Sequence, residues 1–295
     1  MQQPHIGIVT VLYNSEDVLN DFFRTLAIQT YSNFTLYIID NASSDRSLEI
    51  AKELASQVDF KCVFFEEKTN WGIAKGNNIG IRAALKDKCD FVLLSNNDIV
   101  LKPDTISTLL NGALLRGSGL AVPKIYYYNT NKIWQAGGRF DILRATTPHF
   151  GYKEEDHGQF EETKDVQYSS TCFMLIKSEV FDTVGFMNED YFVYYDDSDF
   201  VYRCTMVNNE ILTYIPESVL EHKVSYSTQK DSDFYISMMF RNRIYFIRQN
   251  YTFPTKALAL LTFFSYHFII HPFRMTRKQF SLSTKAMLKG LKMKR

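Results

Sequence analysis

Residues 91–98 read FVLLSNND, an apolar run that ends abruptly in two amides and a carboxylate. We interpret residues 91–94 as a buried strand that delivers Asn96, Asn97 and Asp98 to the carboxyl edge of a sheet. In open α/β sheets this edge is where ligands bind. An Asp with Asn neighbours suits one divalent cation that is shared with a phosphate oxygen. A simple turn is the alternative, because Asn and Asp are common turn residues.

Strand and helix patterns alternate through the first half of the chain. Apolar strand patterns cover Ile6–Leu12 and residues 35–39, 61–65 and 91–94. Helical patterns lie between them, and Ser15 is a candidate cap for the first. This order predicts an α/β fold with a doubly wound, mostly parallel central sheet and flanking helices. Two strands thus end on acids, Asp40 and Asp98, which should lie on one edge of the sheet.

The first strand leads into a loop that lacks a dinucleotide-binding motif. Residues 9–14 read VTVLYN and contain no Gly-x-Gly-x-x-Gly turn, so a dinucleotide-binding unit is disfavoured. Thr10, Tyr13 and Asn14 offer hydroxyl, aromatic and amide groups instead. These groups suit the edge and face of a base better than a pyrophosphate.

The second half has a different pattern. Residues 126–165 are irregular and read as a long loop or hairpin region, and long loops of this kind are often functional. We predict a strand over residues 167–177 and a short helix over residues 179–184 that is closed by Gly185. Beyond Asp233 the chain is predicted to be helical to its end.

Three carboxylates, Asp196, Asp197 and Asp199, stand within four residues and are flanked by aromatic and apolar side chains. An exposed, solvated turn at a helix start is the alternative reading, but these flanks disfavour it. A partly desolvated carboxylate should have a raised pKa, as a general base requires. We expect Asp199 to pair with Arg203 at the (i, i+4) spacing.

Composition indicates a folded protein with a strongly divided charge. The chain has 295 residues, of which 45% are hydrophobic and 22% charged, and its net charge is zero. All 33 acidic residues precede residue 234, whereas residues 234–295 carry 12 Lys or Arg. The four cysteines show no metal-ligand spacing, so we expect free thiols in a reducing compartment. No signal peptide is evident, and cytoplasmic residence is the expectation.

The basic C-terminal segment contains a short apolar run. Residues 258–270 are mostly apolar, but a transmembrane helix needs about 20 such residues. Basic residues follow without an acid, which favours a helix that lies in an anionic membrane surface. The alternative is a core helix with a solvated basic tail; nucleic acid is not expected as a partner.

Six motifs in order make a more specific pattern than any one of them. The chain resembles inverting family 2 glycosyltransferases with the GT-A fold, and its later part is similar to their rhamnosyltransferase-like branch. The motifs are residues 9–14, residues 38–45 (IIDNASSD), residues 70–80 (NWGIAKGNNIG), residues 95–98, residues 192–203 and His222, and the branch is indicated by residues 134–138 (WQAGG) and 241–243 (RNR).

The resemblance implies roles for particular side chains. Asp197 would be the catalytic base, and Asp98 and His222 would hold a divalent metal, Mg²⁺ or Mn²⁺. Asp40 would bind the pyrimidine edge of a nucleotide-sugar, and Lys75 would reach its diphosphate as a point charge. The remaining donor-binding residues would be Thr10, Tyr13, Asn14, Asn96 and Asn97. Asp196 departs from the family, because Glu is usual there.

The function implied is metal-dependent, inverting transfer from dTDP-rhamnose or a UDP-sugar to a lipid-linked glycan in surface polysaccharide synthesis. The enzyme would act as a peripheral protein on the inner face of the cell membrane. A non-catalytic nucleotide-sugar-binding scaffold and a metal-dependent nucleotidyl- or phosphotransferase stay open as alternatives, as does the oligomeric state. We divide the chain into a nucleotide-sugar half (residues 1–125), an acceptor and base half (126–233) and a basic helical segment (234–295).

Overall fold

The first half of the fold is a parallel sheet whose strands are joined by helices. The computed structural model describes residues 3–224 and 232–294, so residues 1–2 and 225–231 and the basic Arg295 lie outside the described residues. The elements in chain order are β1 (Ile6–Leu12), α1 (Leu19–Ala27), β2 (Phe34–Asp40), α2 (Ser47–Ala55), β3 (Lys61–Glu66), α3 (Ile73–Lys86) and β4 (Phe91–Ser95). The strands lie in the order β3-β2-β1-β4 with every neighbouring pair parallel. This confirms the predicted α/β class.

Close contact between α3 and the sheet explains two of the glycines. An ideal Cβ on Gly80 would lie 2.4 Å from Cγ1 of Val9, and one on Gly76 would lie 2.8 Å from Cγ2 of Val11. Real Cβ atoms do not approach so closely, so these positions need glycine for the helix to pack on β1. Gly80 therefore serves helix–sheet packing.

Two local predictions were wrong. Helix α1 begins at Leu19, and the Ser15 side chain does not cap it. The hydroxyl oxygen of Ser15 instead accepts a hydrogen bond from the backbone N–H of Tyr13 at 3.3 Å. The strand predicted over residues 167–177 is confined to its last five residues.

The second half of the sheet mixes directions. Its elements are β5 (Ile99–Leu101), α4 (Thr105–Arg116), β6 (Leu120–Tyr127), β7 (Ile133–Gln135), β8 (Lys164–Asp165), β9 (Phe173–Lys177), α5 (Val180–Val184), α6 (Asp196–Tyr202) and β10 (Leu212–His222). From β4 the order continues β9-β6-β10-β5. Strand β9 is antiparallel to both β4 and β6, and β10 is parallel to β6 but antiparallel to β5. The last residue of β10, His222, therefore pairs with Ile99, which follows Asp98 directly.

Helices form the C-terminal segment, as predicted. They are α7 (Asp233–Asn250), α8 (Thr255–Ile269) and α9 (Arg277–Lys292), and they share a small core of Ile244, Phe263 and Met287. In the two described ranges, no helix combines the length and the apolar character that crossing a membrane requires.

Candidate functional site

A cleft of about 450 Å³ lies at the carboxyl edge of the parallel strands. Its lining comes from the loops after β1, β2, β3 and β4, from the start of α3, and from three later segments of the chain, at Thr171, at Phe192 and Val193, and at Phe234. The lining residues include Tyr13, Asn14, Asn41, Asn70, Gly72, Asn96, Asn97, Asp98, Phe192, Val193 and Phe234. The sequence therefore predicted the edge of the sheet at which the cleft lies.

Five of the predicted site residues line this cleft: Tyr13, Asn14, Asn96, Asn97 and Asp98. Hydrogen bonds to the backbone fix two of their amides. Nδ2 of Asn97 donates to the carbonyl of Val11 at 2.9 Å, and Oδ1 of Asn14 accepts from the backbone N–H of Ser44 at 2.8 Å. These contacts fix the loops after β1, β2 and β4 relative to one another around the cleft.

Thr10 and Asp40 lie behind the lining, and both are buried. Oδ2 of Asp40 accepts a hydrogen bond from the backbone N–H of Ser43 at 3.3 Å. Oδ1 of Asp40 and the Thr10 hydroxyl have no hydrogen-bond partner within the described part of the chain. Buried polar atoms are nearly always paired, so this carboxylate oxygen at the end of β2 is an acceptor that lacks a donor among the described residues.

Lys75 lies on the first turn of α3, outside the cleft lining. Its Nζ is 3.6 Å from the centroid of the Trp71 ring, a cation–π distance. The indole Nε1 of Trp71 in turn donates to Glu67 at 3.0 Å. The ammonium group is therefore held beside Trp71 rather than in the cleft.

His222 and Asp98 form a polar pair at the floor of the site. Nε2 of His222 lies 3.0 Å from Oδ1 of Asp98. Burial raises the pKa of Asp98, but His222 and Asn96 outweigh burial and the net direction is downward. Burial lowers the pKa of His222, whereas Cys172 and Asp98 favour its protonated form, and the net direction is upward. In this geometry Nε2–H of His222 can donate a hydrogen bond to Oδ1 of Asp98.

The same two groups suit a divalent cation. Carboxylate oxygen and imidazole nitrogen are both ligands for Mn²⁺, and Mg²⁺ takes one or two carboxylates together with substrate phosphates. Among residues 3–224 and 232–294, no cluster of three or more His, Cys, Asp or Glu side chains could hold an ion. The pair thus fits a metal whose remaining ligands come from substrate and water, not a closed protein cage.

The acidic cluster divides into three environments at the start of α6. Asp197 accepts hydrogen bonds from the Tyr168 hydroxyl at 2.6 Å and from the backbone N–H of Ser198 at 2.6 Å. Asp199 pairs with Nε of Arg203 at 2.9 Å, as the sequence predicted. Burial, and then the neighbouring Asp197, raise the pKa of Asp196 to about 8. The raised pKa expected of this cluster therefore belongs to Asp196.

A strained backbone segment precedes the cluster. Phe192, Tyr194 and Tyr195 all have positive φ, at 66°, 63° and 64°, a region that non-glycine residues seldom occupy. Nδ2 of Asn242 lies within hydrogen-bond distance of three carbonyls of this segment: Tyr191 at 3.0 Å, Val193 at 2.8 Å and Tyr194 at 2.8 Å. Strain of this kind persists only where the surroundings over-determine it. Asn242 thus holds the segment in place, together with Arg241, whose guanidinium donates to the carbonyl of Tyr191 at 2.6 Å.

Sequence reasoning missed several parts of the site. Asn41 and Asn70 fix each other through a 2.9 Å hydrogen bond, and their places in the quoted motifs were the available signal. Phe192 and Val193, which begin the quoted motif of residues 192–203, reach the cleft from the strained segment. Phe234 reaches it from α7, which no local pattern indicates. Asn242 was quoted only as part of a motif.

Relatives of known activity share most of the chain. The profile of glycosyl transferase family 2 matches residues 7–185, more than half of the chain. The low-salt glycan biosynthesis hexosyltransferase Agl10 of Haloferax volcanii is 24% identical over 283 residues, 93% of this chain and 85% of the relative. The dTDP-rhamnosyl transferase RfbF of Shigella flexneri is 27% identical over 237 residues, 75% of this chain and 69% of the relative.

Solved structures share the GT-A-type fold. TarS of S. aureus in complex with UDP-GlcNAc superposes with a TM-score of 0.66 and 15% identity, covering 97% of this chain and 80% of TarS. The mannosyltransferase PcManGT from Pyrobaculum calidifontis, in complex with GDP-Man and Mn²⁺, superposes with a TM-score of 0.59 and 15% identity, covering 100% and 77%. At this identity the likeness establishes the fold. With the family profile, it leads to one conclusion: the chain belongs to glycosyl transferase family 2 and is a glycosyltransferase.

Proposed function

We propose that this enzyme transfers a sugar, with inversion, from dTDP-rhamnose or a UDP-sugar to a hydroxyl group of a lipid-linked glycan in surface polysaccharide synthesis. The observation that carries the proposal is the Asp98–His222 pair, 3.0 Å apart beside a cleft lined with amides. The negative charge of the departing nucleoside diphosphate must be neutralised. Asp98 lines the cleft, so a cation held by the pair would lie beside that diphosphate.

The donor is proposed to be a pyrimidine nucleotide because of Asp40. Its unpaired Oδ1 is an acceptor, and the N3–H of uracil or thymine is a matching donor. Thr10, Tyr13 and Asn14 would complete the base site. The ribose and the diphosphate would then reach Asn96 and Asn97, and Lys75 would approach the diphosphate after leaving the Trp71 ring. TarS was solved with UDP-GlcNAc, and RfbF is a dTDP-rhamnosyl transferase, which supports a pyrimidine donor.

Asp98 and His222 would hold Mg²⁺ or Mn²⁺. When bound, such an ion supplies Lewis-acid neutralisation of the negative charge that develops on the departing diphosphate. PcManGT was solved with Mn²⁺, which supports a metal in this fold.

Asp197 is proposed as the base. It would take the proton of the acceptor hydroxyl while the acceptor oxygen bonds to the anomeric carbon and the bond from that carbon to the diphosphate breaks. Attack opposite the leaving group inverts the configuration in one step. Hydrogen bonds from Tyr168 and Ser198 fix the carboxylate in one orientation, as such a role requires.

The lipid-linked acceptor and a location on the inner face of the cell membrane are the remaining parts of the proposal. They are supported by the basic C-terminal helices and by Agl10, a glycan biosynthesis hexosyltransferase. An acceptor anchored in lipid is presented at a membrane surface, so an enzyme that associates with that surface meets it there.

Calorimetry with UDP, dTDP and GDP, each with and without Mn²⁺, tests the donor site. We expect metal-dependent binding of one pyrimidine diphosphate and weak binding of GDP. A transfer assay on the matching sugar donor then tests the base. Asp197→Asn should reduce transfer by at least 100-fold, within the roughly 10²–10⁴-fold that general base catalysis contributes, and should leave nucleotide binding unchanged. Tight binding of GDP alone, or full transfer by the variant, would contradict the respective role.

A further inference from the structure

We propose that the outward face of α8, with Phe253 and Phe273 at its two ends, inserts into an anionic lipid bilayer. The inference deepens the membrane association proposed above by naming the surface that makes the contact. It is tested on vesicle binding, which needs neither donor nor acceptor.

Helix α8 places its apolar residues on both faces. Ala259, Phe263 and His267 recur every four residues and are buried against the rest of the C-terminal segment. The opposite face is exposed and mostly apolar: it presents Leu258, Leu261, Phe268 and Ile269, with the uncharged polar residues Thr262 and Ser265 between them. A surface helix of a protein surrounded only by water normally presents polar residues there. This face therefore indicates a partner that is itself apolar.

The ends of the helix extend the apolar surface. Phe253, just before α8, is 85% exposed, and Phe273, in the turn after it, is 89% exposed. After Lys256 no charged residue occurs until Arg274. A mostly apolar surface of this length without a Lys, Arg, Asp or Glu, on a helix too short to span a bilayer, matches a helix that lies in the interface plane.

Positive charge borders this surface. Helix α9 exposes Arg277, Lys278, Lys285, Lys289 and Lys292 along its length, and Lys278 pairs with Asp233, the last acidic residue of the chain. An anionic bilayer is complementary to both features at once, because acyl chains accept the aromatic and aliphatic groups while headgroups attract the cations.

Contacts between α8 and α9 hold the two surfaces together. Nε2 of His267 lies 2.9 Å from the Thr284 hydroxyl, and the His267 ring stacks on Phe280 with 4.7 Å between centroids. Arg274 donates to the Tyr266 hydroxyl at 3.1 Å. These contacts fix the position of α9, and with it that of its cations, relative to α8.

Helix α7 connects this surface to the cleft. It packs against α9, contributes Phe234 to the cleft lining, and carries Asn242, which holds the segment before Asp196. A bilayer bound at α8 would therefore lie at a fixed position relative to the cleft, as an acceptor presented from that bilayer requires.

Sedimentation with vesicles tests the proposal on the full chain. The probes are phosphatidylcholine vesicles and vesicles of phosphatidylcholine and phosphatidylglycerol at a ratio of about 3:1, a composition chosen to supply the anionic charge that basic residues bind. We expect binding to the anionic vesicles that weakens at high salt. The double variant Leu261→Ser/Phe268→Ser should bind at least about tenfold more weakly, since each side chain loses the burial of an apolar group.

Two further variants separate the contributions. Leu115 on α4 is 88% exposed and far from the C-terminal segment in sequence, so Leu115→Ser is the matched control and should bind as the wild type does. The triple variant Lys285→Gln/Lys289→Gln/Lys292→Gln should lose most of the salt dependence. All of these side chains are exposed, so the melting temperature should stay within a few degrees, which scanning calorimetry checks.

Equal binding by the wild type and the double variant would overturn the proposal, as would no binding to anionic vesicles. Light scattering that shows a dimer in the wild type and a monomer in the double variant would assign the face to a second copy instead, and would also overturn it. Nucleotide binding is measured on the same samples. Vesicle binding without nucleotide binding would leave this inference standing and contradict the proposed donor instead.

Discussion

Nε2 of His222 lies 3.0 Å from Oδ1 of Asp98, although 124 positions separate the two residues in the chain. The contact arises because β10 runs antiparallel to β5, so that His222 pairs with Ile99 and lies beside the residue that precedes it. Asp98 follows β4 in the parallel half of the sheet, and His222 is the last residue of β10 in the mixed half. The pair exists only when both halves have folded.

The first prediction concerns this pair. Asp98→Ala should abolish the metal dependence of nucleoside diphosphate binding, because it removes the carboxylate that borders the cleft and contacts His222. His222→Ala should weaken the metal dependence less, since a single carboxylate with substrate phosphates can still hold Mg²⁺. Calorimetric titration of the diphosphate with and without Mn²⁺ gives both values.

Asp104→Ala is the control for Asp98→Ala, since it removes an exposed carboxylate at the start of α4 and changes the net charge equally. It should bind metal and nucleotide as the wild type does. If Asp98→Ala keeps its full response to Mn²⁺, the metal site lies elsewhere.

The second prediction concerns Asp196. Burial and Asp197 raise the pKa of Asp196 to about 8, whereas an unfolded Asp has a pKa of about 4. The folded state therefore holds this proton more tightly, and the stability that it provides is complete below about pH 4 and is lost as pH rises to about 8. The loss is at most about 1.4 kcal/mol per pH unit in that window.

Asp196→Asn resembles the protonated side chain and should not show this loss. Urea unfolding at pH 5, 6, 7 and 8, a series placed between about 4 and about 8, should show the variant gaining stability over the wild type at each step. The comparison of variant with wild type cancels the opposite contribution of carboxyls such as Asp98, whose pKa is lowered. Parallel curves for the two proteins would mean that Asp196 is ionised in the fold.

Local patterns were enough to predict the parallel half of the fold. Strands β1, β2 and β4 are mostly apolar and buried because both faces of a parallel sheet are covered, and Asp40 and Asp98 follow from where two of those runs stop. The place of β9 was not predictable in the same way, because antiparallel insertion beside β4 is a long-range pairing with no local signature. Helix α1 does not begin after Ser15 as predicted, because the Ser15 hydroxyl accepts a hydrogen bond from the backbone N–H of Tyr13 instead of capping the helix.

The site was predictable only in part for the same reason. Strand β4 ends directly before Asn96, Asn97 and Asp98, so predicting the strand also predicts the position of these three residues. The contact of Asn242 with residues 191–194 depends on how α7 packs against that segment. The residue spacing within α7 does not indicate which distant segment the helix contacts.

The third prediction concerns Asn242. Asn242→Ala removes two N–H donors that three carbonyls share, and it should destabilise the fold by about 2 kcal/mol, given about 1 kcal/mol net for each hydrogen bond. The segment that it holds includes Phe192 and Val193 of the cleft, so kcat should fall by at least about tenfold from misplacement alone. Urea unfolding and transfer kinetics measure the two effects.

Asn208→Ala serves as the control for this variant. The Asn208 amide donates one solvent-exposed hydrogen bond, to the carbonyl of Arg203 at 2.8 Å. It should change stability by no more than about 1 kcal/mol and leave kcat unaltered. A loss of stability in Asn242→Ala with an unchanged kcat would show that the segment keeps its geometry without the amide.

The last prediction concerns Gly72, which lies between the cleft and the strained segment. Its φ is 83° and its ψ is 175°, and a Cβ at this position would lie 2.2 Å from the carbonyl oxygen of Phe192. Gly185 has a nearly identical backbone, with φ 75° and ψ −166°, but a Cβ there meets nothing within 4 Å. Both Gly→Ala variants should lose about 1–3 kcal/mol of stability from the backbone conformation. Only Gly72→Ala should also displace Phe192, and with it weaken nucleotide binding in calorimetry, because the clashing atom belongs to the backbone and cannot rotate away. Equal nucleotide affinity in the two variants would mean that the position of Phe192 does not influence the donor site.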